Sequence, residues 1–68
     1  MQLSTRNQLK GKIKSIKKGP VSTEVILDVS GQTMVVASIT TGSADSMELK
    51  VGDDVSALVK ASSVMIMK

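Results

Sequence analysis

Apolar and polar side chains alternate over residues 21–29, and this alternation constrains the fold more than any other feature of the sequence. Val21, Thr23, Val25, Leu27 and Val29 occupy alternate positions along this stretch. Because successive side chains of a β-strand point to opposite faces, a period of two predicts a strand with one buried face. Val, Ile and Thr, which favour strands, supply 19 of the 68 residues. We therefore expect an all-β domain.

The same pattern predicts four further strands. The first covers residues 9–16, where lysines occupy one face and Ile16 breaks the alternation, as a β-bulge would. The third, Thr33 to Thr40, has apolar residues on both faces, which is typical of a strand covered on both sides. Burial against another subunit would have this effect. The fourth and fifth strands are expected over residues 55–60 and 64–67.

One short helix is predicted between the third and fourth strands, over residues 43–49. Ser43 is a suitable N-cap, and Met47 and Leu49 can point inward from it. Three strands, a short helix and two strands is the element order of the OB-fold, a five-stranded Greek-key barrel. An SH3-like barrel has a similar strand count, but the helix favours the OB-fold because Met47 and Leu49 would close the open end of the barrel.

The length and composition limit what the chain can do. We expect a single domain spanning residues 1–68. The sequence contains no Cys, His, Phe, Tyr or Trp, which excludes disulfides, Cys or His nucleophiles and zinc sites, and we expect no enzymatic activity. A core this small seldom supplies more than about 3–5 kcal/mol, so association with other copies is expected. Because no membrane span or signal peptide is visible, we expect a cytoplasmic protein.

Positive charge is concentrated at the beginning of the chain. Residues 1–23 contain six Lys or Arg and no acidic residue, whereas residues 24–68 contain three Lys and six acids. A basic block indicates an anionic partner, such as nucleic acid, a membrane surface or a small oxyanion, or else a solvated strand face. Proteins that bind single-stranded nucleic acid usually stack bases on aromatic side chains, and this chain has none.

Two stretches supply the hydrogen-bond donors that a tetrahedral oxyanion needs. Ser4 and Arg6 are two residues apart, as are Lys60 and Ser62, so each pair shares a face if its segment is extended. Both pairs lie near a chain terminus, and they would converge if the termini pair across a subunit interface. The alternative is that all four are ordinary turn and rim residues in contact with solvent.

A third candidate is the predicted turn that contains Gly19, Pro20, Val21 and Ser22. The backbone N–H groups of Val21 and Ser22 could form an anion-binding nest. A Gly-Pro turn in a hairpin also forms without any ligand.

The segment STRNQLKGKI, residues 4–13, resembles the opening motif of the molbindin (Mop) domain, and residues 17–19, 23–25 and 59–66 continue the match. The resemblance covers essentially the whole chain. It implies an OB-like fold assembled as a homo-hexamer, a trimer of dimers, in the cytoplasm. It also implies binding of molybdate or tungstate for storage and homeostasis.

The resemblance further implies two classes of oxyanion site. One lies between subunits and corresponds here to Ser4, Arg6, Lys60 and Ser62. The other uses backbone around the first hairpin, near Gly19, Val21 and Ser22. The family commonly has a residue with an N–H group where this chain has Pro20, which has none, so Val21 and Ser22 are the candidate donors. A nucleic-acid-binding OB module and a purely structural assembly domain are the alternatives.

Overall fold

A computed structural model describes residues 6–31 and 33–68 of the chain. Its elements follow the order strand, strand, strand, helix, strand, with a short 3-10 turn after the last strand. They are β1 (Asn7–Lys18), β2 (Ser22–Val29), β3 (Thr33–Thr40), α1 (Thr41–Ser46), β4 (Asp54–Val59) and the 3-10 turn Ala61–Ser63.

The long strand β1 organises one antiparallel sheet with the order β3-β2-β1-β4. Its first half pairs with β4, from Asn7 opposite Val59 to Lys12 opposite Asp54. Its second half pairs with β2, from Lys12 opposite Asp28 onward. Because one strand serves two neighbours in succession, the sheet curls, as in the OB-fold that the element order predicts.

Two local features let β1 bend. The register with β2 shifts between Ile13 and Ser15, so the bulge predicted from the broken alternation is confirmed, and it returns Ile16 to the inner face. Gly11 lies so close to β2 that a Cβ atom there would be 2.7 Å from the Asp28 carbonyl oxygen. A larger residue at Gly11 would push the two strands apart.

The core sits inside the curl and is small. Ile13, Val25 and Leu27 are buried, as the alternation predicts, and Thr23 is fully buried beside them. The half-buried residues packed around this core are Ile16, Val35, Ile39, Leu49, Val55 and Ala57. Within the ranges described, no helix has the length and apolar character needed to cross a bilayer.

The helix differs from its prediction in position. It begins at Thr41 rather than Ser43, because Thr40 is the N-cap and its Oγ1 accepts a hydrogen bond from the Ser43 N–H at 3.0 Å. It ends at Ser46, and Met47 is 57% exposed, so Met47 does not close the barrel. Leu49 does pack against the core.

The predicted fifth strand is wrong for the described residues, which form four strands. The segment Val64–Met67 leaves the 3-10 turn in contact with solvent, and Met65, Ile66 and Met67 are at least 90% exposed. A strand needs a neighbouring strand to satisfy its backbone, and this segment has none among the described residues.

The absent fifth strand leaves an apolar groove of about 350 Å³ between the sheet edges β3 and β4. Val36 from β3 and Leu58 from β4 line it and are more than 40% exposed, and Ile13 and Leu27 form its floor. Val36 is 63% exposed, so the described residues do not supply the cover that the sequence predicts on the second face of β3.

We predict that Gly11→Ala destabilises the protein by about 1–3 kcal/mol, because the new methyl group must displace the β2 backbone. Gly42→Ala is the control, since Gly42 lies in α1 with nothing within 4 Å of the added Cβ. Alanine favours helix over glycine, so the control should be neutral or slightly stabilising. Urea unfolding at a fixed protein concentration measures both. Equal stability of the two variants would contradict the close approach at Gly11.

Candidate functional site

Arg6 and Lys60 lie at neighbouring strand ends. Arg6 immediately precedes β1, and Lys60 immediately follows β4. Asn7 pairs with Val59, so the same antiparallel register, continued by one residue, places Arg6 opposite Lys60. Directly opposed residues point to the same face of a sheet, with Cβ atoms about 4.5–5.5 Å apart. The register therefore predicts that two of the four residues expected near the termini, Arg6 and Lys60, face each other just beyond the last paired residues.

The other two residues of this group are placed differently. Ser62 is exposed in the 3-10 turn, where the Ser63 N–H donates to the Lys60 carbonyl at 2.9 Å and closes the turn next to Lys60. Ser4 lies outside the described residues. Of the four predicted residues, the structure therefore describes Arg6, Lys60 and Ser62, which adjoin the start of β1 and the end of β4.

The charges at this end of the sheet are not compensated. Lys12 and Lys18 are paired with Asp54 and Asp45, at 3.0 and 2.7 Å, but neither Arg6 nor Lys60 forms an ion pair with a carboxylate of the described residues. Like charges on directly opposed residues destabilise a strand pair. An anion between the two cations would relieve this repulsion.

The loop from Gly19 to Ser22 is closed by a hydrogen bond from the Gly19 N–H to the Ser22 carbonyl at 3.0 Å. A Cβ atom on Gly19 would lie 2.7 Å from that carbonyl oxygen, so the closure requires glycine. Pro20 and Val21 form the exposed tip. The Val21 N–H makes no hydrogen bond to any group in the part of the chain that the structure describes.

The start of α1 fixes this loop from the inside. The Thr41 Oγ1 donates to the Gly19 carbonyl at 2.6 Å, and the Thr41 N–H donates to the Val21 carbonyl at 2.9 Å. Since the Thr41 hydroxyl proton is used in this way, the Thr23 hydroxyl donates to Thr41 Oγ1 at 2.9 Å. An ion pair between Lys18 and Asp45 adds a link from β1 to α1.

The hydrogen bond between Thr23 and Thr41 was not predicted from the sequence. Thr23 occupies an inward position among Val and Leu residues, which is a signal of a polar group that needs a buried partner. Its partner lies 18 residues away along the chain. Local pattern alone does not indicate such a pair.

The two predicted groups lie at opposite ends of β1. Arg6 precedes the strand and Gly19 follows it, so 12 residues, or about 40 Å of extended chain, separate them. One protomer therefore presents two separate candidate sites.

Comparison with known proteins places this architecture in a family. A family model described as the TOBE domain matches residues 3–66. Molybdenum-pterin-binding protein 2 of Clostridium pasteurianum is 40% identical over 67 residues, which is 98% of each chain. The solved structure of a molybdate-binding protein from Sporomusa ovata superposes with a TM-score of 0.95 at 41% identity, over the whole of both chains.

The chain belongs to the molbindin (Mop) family of TOBE-domain proteins. A structure of the cytoplasmic molybdate-binding protein ModG with molybdate bound also matches, with a TM-score of 0.84 and 39% identity. That match covers 90% of this chain and 43% of ModG. The resemblance in the sequence and its OB-like fold are thus confirmed, with four strands instead of five over residues 6–31 and 33–68.

A groove of about 610 Å³ in this Mop domain, lined by residues of β1, β2 and β4 and of the turn after β2, does not coincide with either candidate site. Asp28 and Asp54 line it together with Lys10 and Lys12. Lys12 is paired with Asp54, and one oxygen of Asp28 is buried without a hydrogen-bond partner. Carboxylates repel an oxyanion, and Lys12 is already paired with Asp54, so this groove suits one poorly.

Proposed function

We propose that this Mop-family chain binds molybdate or tungstate as the intact oxyanion and has no catalytic activity. In this proposal residues 1–68 form a single domain of a cytoplasmic homo-hexamer that stores the anion and maintains its level. The observation that carries the proposal is the uncompensated pair of Arg6 and Lys60 at neighbouring strand ends. The relatives named for molybdenum or molybdate binding identify the anion class.

The donor set suits a fully ionised tetrahedral anion. Arg6 supplies a fork of N–H groups, Lys60 an ammonium group, and Ser62 and Ser4 hydroxyls. Arg and Lys side chains have donors and no acceptor, so an O–H group on a protonated anion finds no partner in them. Phosphate keeps a proton at neutral pH, and its O–H group would face the N–H donors of Arg6 and Lys60 instead of an acceptor. Sulfate would be rejected mainly because it is smaller.

Assembly is part of the proposal because a single chain leaves the Arg6 and Lys60 group open to solvent. The apolar segment Val64–Met67 begins two residues after Ser62, and all its residues are exposed. Residues 61–67 carry no charge, so they can enter an apolar groove without desolvating an ion. If another subunit buries this segment, Lys60 and Ser62 lie at the seam between subunits.

Nucleic-acid binding is the alternative. β1 carries Lys10, Lys14 and Lys17, which form no ion pair with a carboxylate of the described residues. Without aromatic side chains to stack bases, such binding would be electrostatic only. Retardation of an oligonucleotide at low salt, with no uptake of molybdate, would favour this alternative.

We predict that Arg6→Ala and Lys60→Ala each weaken molybdate binding by about 1.5–3 kcal/mol, or roughly 10–150-fold, the usual scale for a hydrogen bond to a charged group. Isothermal titration calorimetry measures the affinity. Lys14→Ala is the matched control, since it removes one positive charge from an exposed position on β1.

The control should change the affinity only slightly, and less as salt is raised, because its effect is long-range. Equal loss in all three variants would indicate attraction to net charge and not a site at Arg6 and Lys60. Elemental analysis that finds neither molybdenum nor tungsten retained by the wild type after incubation with the anions would refute the proposed function.

We predict that Ile66→Asp dissociates the assembly. Burying an ionised carboxylate in an apolar groove costs roughly several kcal/mol unless the carboxylate is paired. Lys68→Asp is the control, since it adds the same acid two residues away without removing an apolar side chain. Sedimentation velocity measures the oligomeric state. A wild type that sediments as a monomer, or an Ile66→Asp variant that stays assembled, would contradict the role of this segment.

A further inference from the structure

The hairpin loop between β1 and β2 lacks one of the two hydrogen bonds that its geometry allows. In a two-residue turn, the residues flanking the tip can exchange two backbone hydrogen bonds. Here the Gly19 N–H donates to the Ser22 carbonyl, but the reciprocal bond from the Ser22 N–H to the Gly19 carbonyl is not made. The Gly19 carbonyl is bonded to the Thr41 hydroxyl instead, at 2.6 Å.

The Thr41 hydroxyl is held in place by its own environment. It accepts a hydrogen bond from Thr23, whose side chain is fully buried, and the Thr41 N–H is anchored to the Val21 carbonyl. A buried hydroxyl without a partner is costly, so the pair is fixed in this arrangement. Thr40, the N-cap of α1, and the ion pair between Lys18 and Asp45 hold the helix start against the loop.

We propose that Thr41 is a positioning residue for an oxyanion site at this loop: by holding the Gly19 carbonyl, its hydroxyl keeps the Ser22 N–H available to the anion. The Val21 N–H is the neighbouring donor. Without the Thr41 hydroxyl, the Gly19 carbonyl would turn to the Ser22 N–H and complete the hairpin. The loop would then keep its shape approximately and lose a donor.

This inference rests on the proposed function, and it adds a residue that does not touch the ligand. It is also compatible with a proline at position 20 of the loop. Proline has no N–H group to offer, so the donors of the loop are those of Val21 and Ser22, and Thr41 decides whether the second is available.

The test isolates the loop by removing the other site. In an Arg6→Ala/Lys60→Ala background, molybdate titration by calorimetry should detect the remaining loop site. Adding Thr41→Val should abolish this remaining binding, whereas Thr41→Ser, which keeps the hydroxyl, should retain it. Thr33→Val is the matched control, because it makes the same change at an exposed residue at the other end of β3.

A second variant controls for the loss of stability that an unpaired buried hydroxyl would cause. Thr41→Val leaves the buried Thr23 hydroxyl without its partner, so Thr23→Val/Thr41→Val removes both hydroxyls together. Amide hydrogen exchange without ligand provides a readout independent of binding. In the double variant, the Ser22 amide should exchange at least about tenfold more slowly than in the wild type, because it becomes bonded to Gly19.

The outcomes separate this inference from the proposed function. Loop binding unchanged by Thr41→Val, or an unchanged Ser22 exchange rate in the double variant, would overturn the role of Thr41. No molybdate binding at all in the Arg6→Ala/Lys60→Ala background would overturn the loop site and the role of Thr41, while the site near the termini would stand. Failure of the wild type to bind molybdate would overturn both.

Discussion

The structure depends on the ability of β1 to pair with two strands in succession. Its first half pairs with β4 and its second half with β2, with Lys12 in both registers. This requires the strand to bend, which the bulge after Ile13 and the close backbone approach at Gly11 allow. The curl creates an inner face for the small core. It also places the two ends of β1 at separate regions of the surface.

Both candidate sites follow from this arrangement. At the beginning of β1, the register with β4, continued by one residue, sets Arg6 opposite Lys60, and neither cation is paired with a carboxylate of the described residues. At its end, the loop at Gly19 meets the first residue of α1. The first site would act mainly through charge, and the second through backbone donors. Family membership and the proposed oxyanion chemistry are consistent with such donor-rich sites.

The same curl leaves the sheet open. The edges of β3 and β4 face each other across an apolar groove, and Val64–Met67 remains outside it. A domain with so few buried side chains gains much from burying further apolar surface. The hexamer that we propose would bury this apolar surface. It would also complete, between subunits, the site that a single chain leaves open.

The sequence by itself determined the four strands of the sheet, the bulge and the main buried positions, although it also predicted a fifth strand and placed the exposed Val21 on the buried face. Alternation identified Val25, Leu27 and Ile13 as core residues, because side-chain direction in a strand depends only on position along it. The motif of residues 4–13 identified the family, which the comparisons confirm. Helix bounds were less accurate because Thr40 and Ser43 are both good capping residues, and only the packing of the chain selected Thr40.

Tertiary structure alone decided which distant residues meet. It set the start of β1 beside the end of β4, next to Arg6 and Lys60, and it paired Thr23 of β2 with Thr41, the first residue of α1. It also left Val64–Met67 unpaired, although its composition is that of a strand. The physical reason is that alternation reports which face a side chain occupies, whereas partners are chosen by strand order and curvature, which depend on the whole sheet.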